Sequence, residues 1–397
     1  MLDDRSLAHA MAPVFAPTER SRGLPNLCYV DPSYHRLEAE RLLARDWLCV
    51  GVGADIPLRG DAMAIDAAGQ PILLVRDRDG GIRAFHNVCR HRGSLLVEDR
   101  HSGPVLVCPY HSWSYALDGR LVRTPEVGGP GVHACPSVDK ESLGLLPVRV
   151  DVWLDFLFVN LSGDAPPLDR VVAPMAERWG DYATEMLVHA ASDTYELRAN
   201  WKLAIENYLE CYHLPWVHPG LNSYSPLDAH EYRVLADRFF GPVTNIYRAS
   251  VAPEKTLPCF PGLPEARRLV GEYPIALPNL LLGIQRDHLF GIIIDPLAVD
   301  HTRERLHIYL VDDGVTRSEA EIARIAAAKT DLVAGWREVF TEDIGIVERM
   351  QRGRASGAFD GGKLTAFHDG CTQRFMQHVA RMVAPSSEPR DRERVSA

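Results

Sequence analysis

Four residues between positions 89 and 111 constrain this chain more than any other stretch. Cys89-Arg-His91 is followed, sixteen residues later, by Cys108-Pro-Tyr-His111. Two thiols and two imidazoles arrive as two mixed pairs. A [2Fe–2S] cluster in which two His replace two Cys on one iron requires this donor set. Splitting the donors lets two facing loops each give one Cys and one His. A zinc finger groups like ligands, a Cys pair and then a His pair, and flanks them with a helix. Here the pairs are mixed and the flanks read as strands.

Those flanks carry strand and hairpin signals. Ile72 to Val75 and Ile82 to Val88 bracket Asp79-Gly-Gly, and Trp113 to Leu117 and Leu121-Val122 bracket Asp118-Gly119. Trp153 to Leu161 reads as one further strand. The cluster donors therefore fall at strand ends of an all-β module over 48–162. Gly163 to Pro167 reads as a linker. Before the module, residues 1–17 read as a mobile tail, and 34–48 show helical patterning. After it, 163–397 mix classes. Leu280 to Ile284, Leu289 to Ile294 and Leu306 to Val311 suggest an antiparallel sheet. Ser318 to about Gln351 and Cys371 to Val383 read as helices, and the charged tail from Pro385 as disordered.

A second donor set lies in this later part. Asn200 to His213 reads as a buried helix with Asn200 as N-cap, ended by Pro215. At helical spacing Glu206, Glu210 and His213 share one face, and His218 follows on the turn. Buried carboxylates and imidazole are costly unless paired or metal-bound. Two His with one carboxylate make the facial triad of non-haem iron(II), which leaves positions open. The carboxylate is sought in Trp336 to Met350. Asp343 falls within the apolar stripe of Trp336, Val339, Phe340, Val347 and Met350. Glu342 falls on the polar face with Glu338 and reads as a solvated charge. Asp343 is the expected third ligand.

Taken together, the sequence resembles the α subunit of Rieske non-haem iron oxygenases of the aromatic-ring-hydroxylating type, over about residues 25–383. Gly93, Pro109 and Trp113 are placed as in that family, and Ser112 stands where it usually has Gly. The resemblance implies an α+β chain in which the all-β Rieske module is inserted in a helix-grip catalytic domain. Residues 1–47 and 163–397 would form that catalytic domain. It implies a [2Fe–2S] cluster on Cys89, His91, Cys108 and His111, and mononuclear Fe(II) on His213, His218 and Asp343. It also implies a homotrimer in which Glu210 joins His213 to a cluster His of the adjacent subunit, His111. Glu206 to His213 is similar to the branch that oxidises choline, glycine betaine, carnitine and stachydrine. Tyr208, Tyr212, Trp216 and Phe290 are candidates for an aromatic cage around a quaternary ammonium. Hydroxylation of an aromatic ring or acid is the alternative within the oxygenases, and a Rieske electron carrier the alternative outside them.

Composition bounds the partners. With 397 residues, 46% hydrophobic and 24% charged, and net charge −10 with dispersed basic residues, nothing points to nucleic acid. No G-x-G-x-x-G follows a strand, so electrons from NAD(P)H would come through a separate flavin/iron–sulfur reductase or a ferredoxin. Eight Cys without framework spacing, no signal peptide and no apolar run long enough for a span suggest a cytoplasmic protein with small-molecule substrate and O2.

Overall fold

The computed structural model describes residues 3–245 and 256–384. The chain divides into two compact units, residues 43–176 and residues 1–42 with 177–397. The predicted tail from Pro385 lies outside the described residues.

The first unit is β throughout its core. Strands β1 (Leu48–Val52), β2 (Asp61–Ala67), β3 (Gln70–Arg76), β4 (Ile82–His86), β5 (Arg100–Ser102), β9 (Pro147–Trp153) and β10 (Phe156–Asn160) form a sheet in the order β1-β10-β9-β4-β3-β2-β5. Strands β6 (Val105–Val107), β7 (Ser114–Ala116) and β8 (Leu121–Arg123) form a smaller sheet. Both Gly-containing hairpins form as their sequences require. Gly80 and Gly119 take the left-handed φ of +87° and +88° that Gly adopts at no steric cost. The expected strand Trp153 to Leu161 forms as β10 from Phe156 onward, but its first residues are the end of β9 and a two-residue turn. Leu154 and Asp155 both take positive φ, 53° and 72°, so β9 and β10 pair antiparallel. That turn contains no Gly, which is why the apolar run concealed it.

The second unit wraps helices around an antiparallel sheet. Its strands are β11 (Leu187–Leu197), β12 (His230–Ala236), β13 (Phe239–Thr244), β14 (Gly271–Glu272), β15 (Ile275–Ala276), β16 (Leu280–Ile284), β17 (His288–Ala298) and β18 (His301–Val311). Their order is β11-β18-β17-β16-β14-β13-β12, with β15 paired to β13 and β16. The helices include α1 (Asp4–Met11), α2 (Leu27–Val30), α3 (Pro32–Glu38), α4 (Leu168–Arg178, crossing the unit boundary), α5 (Trp201–Tyr208), α6 (Leu214–Val217), α7 (Pro219–Tyr224), α8 (Glu319–Arg354) and α9 (Gly370–Val383).

From Asp3 on, the expected tail over residues 1–17 is ordered structure. Asp3 caps α1, and Leu7, Met11 and Val14 are buried against the unit. The signal was present, since three apolar side chains at helical spacing need a surface to cover. Helix α8 starts at a capping box in which Ser318 and Glu321 satisfy each other's backbone N–H groups. Its 36 residues give a rod of about 54 Å. Buried polar groups tie α8 to α5: Gln351 accepts from the Asn200 N–H, and Arg354 lies 3.4 Å from Glu206. These bonds fix α8, which carries Asp343, against α5, which leads to His213.

Candidate active site

The two cluster loops are built to one pattern. The Cys89 N–H donates to the Ser94 carbonyl at 2.8 Å, and the Cys89 carbonyl accepts from the Gly93 N–H at 3.0 Å. In the second loop the Cys108 N–H donates to the Trp113 carbonyl at 2.8 Å, and its carbonyl accepts from the Ser112 N–H at 3.0 Å. The residue closing each turn, Gly93 or Ser112, takes a left-handed φ of +74° or +57°. Both thiols are buried and both imidazoles reach outward, with ring centroids 4.7 Å apart. Trp113 stacks on His91 at 4.6 Å and 7°. The Tyr115 hydroxyl sits 3.4 Å from the Cys89 sulfur and accepts from the Arg90 N–H. Tyr115 is a partner that the spacing alone did not reveal.

The second donor set assembles differently from its sequence expectation. Helix α5 ends at Tyr208, five residues short of His213. The break has a local cause: the Glu210 carboxylate accepts the N–H groups of Tyr212 and His213 and so caps the next turn. Pro215 then sits in the first turn of α6 and opens that helix rather than ending α5. Glu206 therefore does not share a face with His213. It is buried and takes a hydrogen bond from Tyr29 and an ion pair from Arg354. Burial raises its pKa, against the pull of Arg354.

The geometry nevertheless gathers His213, His218 and Asp343. One donor atom from each lies within 4.8 Å of the others. His218 Nε2 is 3.0 Å from Asp343 Oδ1, and His213 Nε2 is 3.8 Å from the same oxygen. Each imidazole is held from behind by a carboxylate at 2.7 Å, Glu210 on His213 Nδ1 and Glu342 on His218 Nδ1. Those bonds put the proton on Nδ1 and leave an unprotonated Nε2 lone pair on each ring, facing the same space as the Asp343 carboxylate. Burial alone would lower the His218 pKa, but Asp343 and Glu342 together hold it above its ordinary value. The donor chemistry fits a divalent iron with two His and one carboxylate. Glu342 is not the solvated charge its helical position suggested. Because α8 passes beside His218, consecutive acids on it reach the two nitrogens of one ring.

A cavity of about 70 Å³ opens on this triad. Its aromatic wall is Tyr208, Tyr273, Phe290, Trp336 and Phe340, with Val339, Leu214 and Leu221 adding apolar surface. Of the expected cage residues, Tyr208 and Phe290 line it. Tyr212 and Trp216 do not; they are 51% and 70% exposed. Tyr273 went unmarked because it lies in the short link between β14 and β15, outside any periodic run. Trp336 and Phe340 were legible as the apolar stripe of α8, though not as pocket wall.

Comparison with known proteins follows the same two units. Residues 46–137 match the Rieske [2Fe–2S] domain, and residues 184–385 match the ring hydroxylating alpha subunit, catalytic domain. The chain belongs to the ring-hydroxylating alpha-subunit family. It is thus a Rieske non-haem iron oxygenase, an α+β chain with a Rieske domain and a catalytic iron domain. Relatives of this Rieske oxygenase include the glycine betaine monooxygenase oxygenase subunit of Chromohalobacter salexigens, 30% identical over 91% of this chain and 86% of that protein. The carnitine monooxygenase oxygenase subunit of Acinetobacter pittii is 28% identical, over 85% of this chain and 86% of that one. A solved quaternary ammonium Rieske monooxygenase, described with carnitine oxidation and inter-subunit electron transfer, superposes with a TM-score of 0.77 at 25% identity. It covers 94% of this chain and 98% of its own. No helix among the described residues is long and apolar enough to cross a membrane.

Proposed function

We propose that this chain is the oxygenase subunit of a cytoplasmic monooxygenase that oxidises a small quaternary ammonium compound. A separate reductase or ferredoxin supplies it with electrons from NAD(P)H. The observation that carries the reading is the aromatic-walled cavity opening directly on the His213, His218 and Asp343 donors. Aromatic faces attract a trimethylammonium group that cannot donate hydrogen bonds. The names of the relatives point to the same substrate class.

In this reading Cys89, His91, Cys108 and His111 hold the [2Fe–2S] cluster, and His213, His218 and Asp343 hold the iron. When bound, these groups store and deliver single electrons and offer open positions for O2 beside the substrate. The protein's own residues do the rest. Glu210 and Glu342 keep the two imidazoles in one tautomer and one orientation. The apolar walls exclude water and seat the methyl groups near the triad. Hydroxylating an N-methyl group consumes O2, two electrons and two protons and gives water and a carbinol. The carbinol then releases formaldehyde and the demethylated amine.

The active form in this proposal is a homotrimer. One chain's cluster tip, bearing exposed Tyr110 stacked on His111, docks beside Glu210 of the next, where Tyr212 and Trp216 are exposed. Such exposed aromatic surface favours a partner. The test is turnover of the purified chain with a competent reductase. Glycine betaine, carnitine and choline should each be screened against aromatic acids, with NADH use and formaldehyde measured together. Coupled turnover of a methylated ammonium is expected; coupled turnover of aromatic acids alone would overturn the reading.

A further inference from the structure

One wall of the cavity is held by a buried polar chain that the iron chemistry does not need. The Trp336 indole Nε1–H donates to His288 Nε2 at 3.0 Å. His288 Nδ1 in turn meets Asp287 Oδ1 at 2.6 Å. His288 is fully buried, and Asp287 and Trp336 are 6% exposed each. The tautomer follows from the donors alone. An indole nitrogen can only donate, so His288 Nε2 accepts, and its proton sits on Nδ1, shared with the carboxylate. The other Asp287 oxygen lies 3.7 Å from Arg286.

This is an expensive way to hold an apolar wall. Leu or Phe would fill the same space without three buried polar groups to satisfy. What Asp287 and His288 add is orientation and polarisation. The carboxylate pulls the His288 proton, the imidazole becomes a better acceptor, and the indole N–H bond shifts electron density into the ring. Phe290 and Phe340 pack on the indole at 4.4 and 5.7 Å and restrict its rotation. An electron-rich, immobile Trp is the strongest of the aromatic partners for a cation.

We infer that Trp336 is the residue that selects a quaternary ammonium over a neutral group of the same shape, with Asp287 and His288 as its positioning residues. The inference rests on the proposed substrate class and deepens it. The test uses the oxidised holoenzyme and matched ligand pairs: glycine betaine with 3,3-dimethylbutanoate, and choline with 3,3-dimethylbutanol. Each pair differs only in carbon for charged nitrogen. Calorimetry gives the preference for the cation as a ratio of affinities, and the visible spectrum of the cluster confirms that each variant is folded.

Wild type is expected to prefer the cation. Trp336→Leu should cut that preference roughly 5- to 30-fold while moving the affinity for the neutral ligand much less. Trp336→Phe keeps an aromatic wall without the N–H and should fall between. It decides the matter alone if the Leu variant does not fold. Asp287→Asn, which keeps the shape and removes the charge, should lower the preference about two- to threefold. If wild type prefers the cation but the ratio survives in the Trp336 variants, the inference fails and the substrate reading stands. The same holds if cation and isostere weaken by one factor, since Trp336 is then only a wall. If wild type shows no preference for the cation in either pair, the substrate reading and the inference fall together.

Discussion

The proposed cluster donors all come from residues 89–111, on two loops that repeat one hydrogen-bond pattern. The proposed iron donors come from a turn after α5 and from the middle of α8, and His218 and Asp343 stand 125 residues apart. The first site is made by local backbone geometry. The second exists only when tertiary packing brings α8 alongside the turn. Each tolerates a different kind of damage. Each cluster loop supplies one Cys and one His. The packed site is instead surrounded by carboxylates, Glu210, Glu342 and Asp343, that divide ligation and orientation among themselves.

Deleting one donor from each site separates the two most sharply. Cys89→Ala, Cys108→Ala, His91→Ala or His111→Ala should abolish the visible absorption and the low-temperature spin signal of the cluster, along with turnover, while the other unit keeps its iron. Asp343→Ala should do the reverse, leaving the cluster spectrum intact and removing the mononuclear iron by metal analysis. A cluster signal surviving in any of the four loop variants would remove that residue from the ligand set.

The orienting carboxylates come next in size. Glu342→Ala leaves all three donors but releases His218 from its partner, whereas Glu210→Gln keeps an acceptor for His213 and removes only the charge. Losses of about 10- to 100-fold in iron affinity or activity are typical for such partners. The two variants should also differ. Glu342 is partly exposed and serves His218 alone, whereas Glu210 also caps the turn that carries His213. Glu210→Gln is therefore expected to slow electron delivery to the iron in single-turnover measurements with both metals still bound. An unchanged transfer rate would reduce Glu210 to a structural role.

The same contrast explains what could be read from the sequence. Mixed Cys and His pairs at short spacing were legible because the cluster loops are contiguous. His213, His218 and Asp343 were legible from residue type and apolar stripe, and the structure gathers those three. Glu342 was misread because a helical wheel reports only the helix's own faces, and His218 approaches from outside it. The end of α5 at Tyr208 was missed because a Glu, rather than Ser or Asp, performs the capping. Tyr273 was illegible because it sits in the link between β14 and β15, where no strand or helix periodicity assigns it a face.

Acid should also affect the two sites differently. In the metal-free protein Asp343 and Glu342 hold the His218 proton to a higher pH than usual. Burial, then the charges of His111 and Arg92, shift His91 the other way. A proton on His218 must leave before metal binds through Nε2. Iron affinity of the mononuclear site should therefore fall, by about tenfold per pH unit, as pH drops below the raised His218 pKa. Glu342→Gln should move that onset to lower pH. Competition titrations with a chelator across pH 5 to 8 would measure it, and coincident curves for wild type and variant would refute the link.

The smallest effect tests whether the two cluster loops are equivalent. Both turns close on a residue with left-handed φ, yet one uses Gly93 and the other Ser112. An L-residue pays roughly 1 kcal/mol or more for that conformation. At position 93 an added Cβ would meet nothing within 4 Å, so Gly93→Ser imposes the backbone cost without a clash. The cluster should still assemble, and holoprotein stability should fall by about 1 kcal/mol. For a unit of this size that corresponds to roughly 2–4 °C in the midpoint of visible bleaching on heating. Ser112→Gly relieves the native strain but gives the unfolded chain more freedom, worth about 0.4–1 kcal/mol in the opposite sense. It should therefore move the midpoint by less than Gly93→Ser and in the upward direction. If Gly93→Ser instead prevents cluster assembly while Ser112→Gly is silent, the loops are not interchangeable in geometry, and the backbone around Gly93 needs more than its left-handed φ.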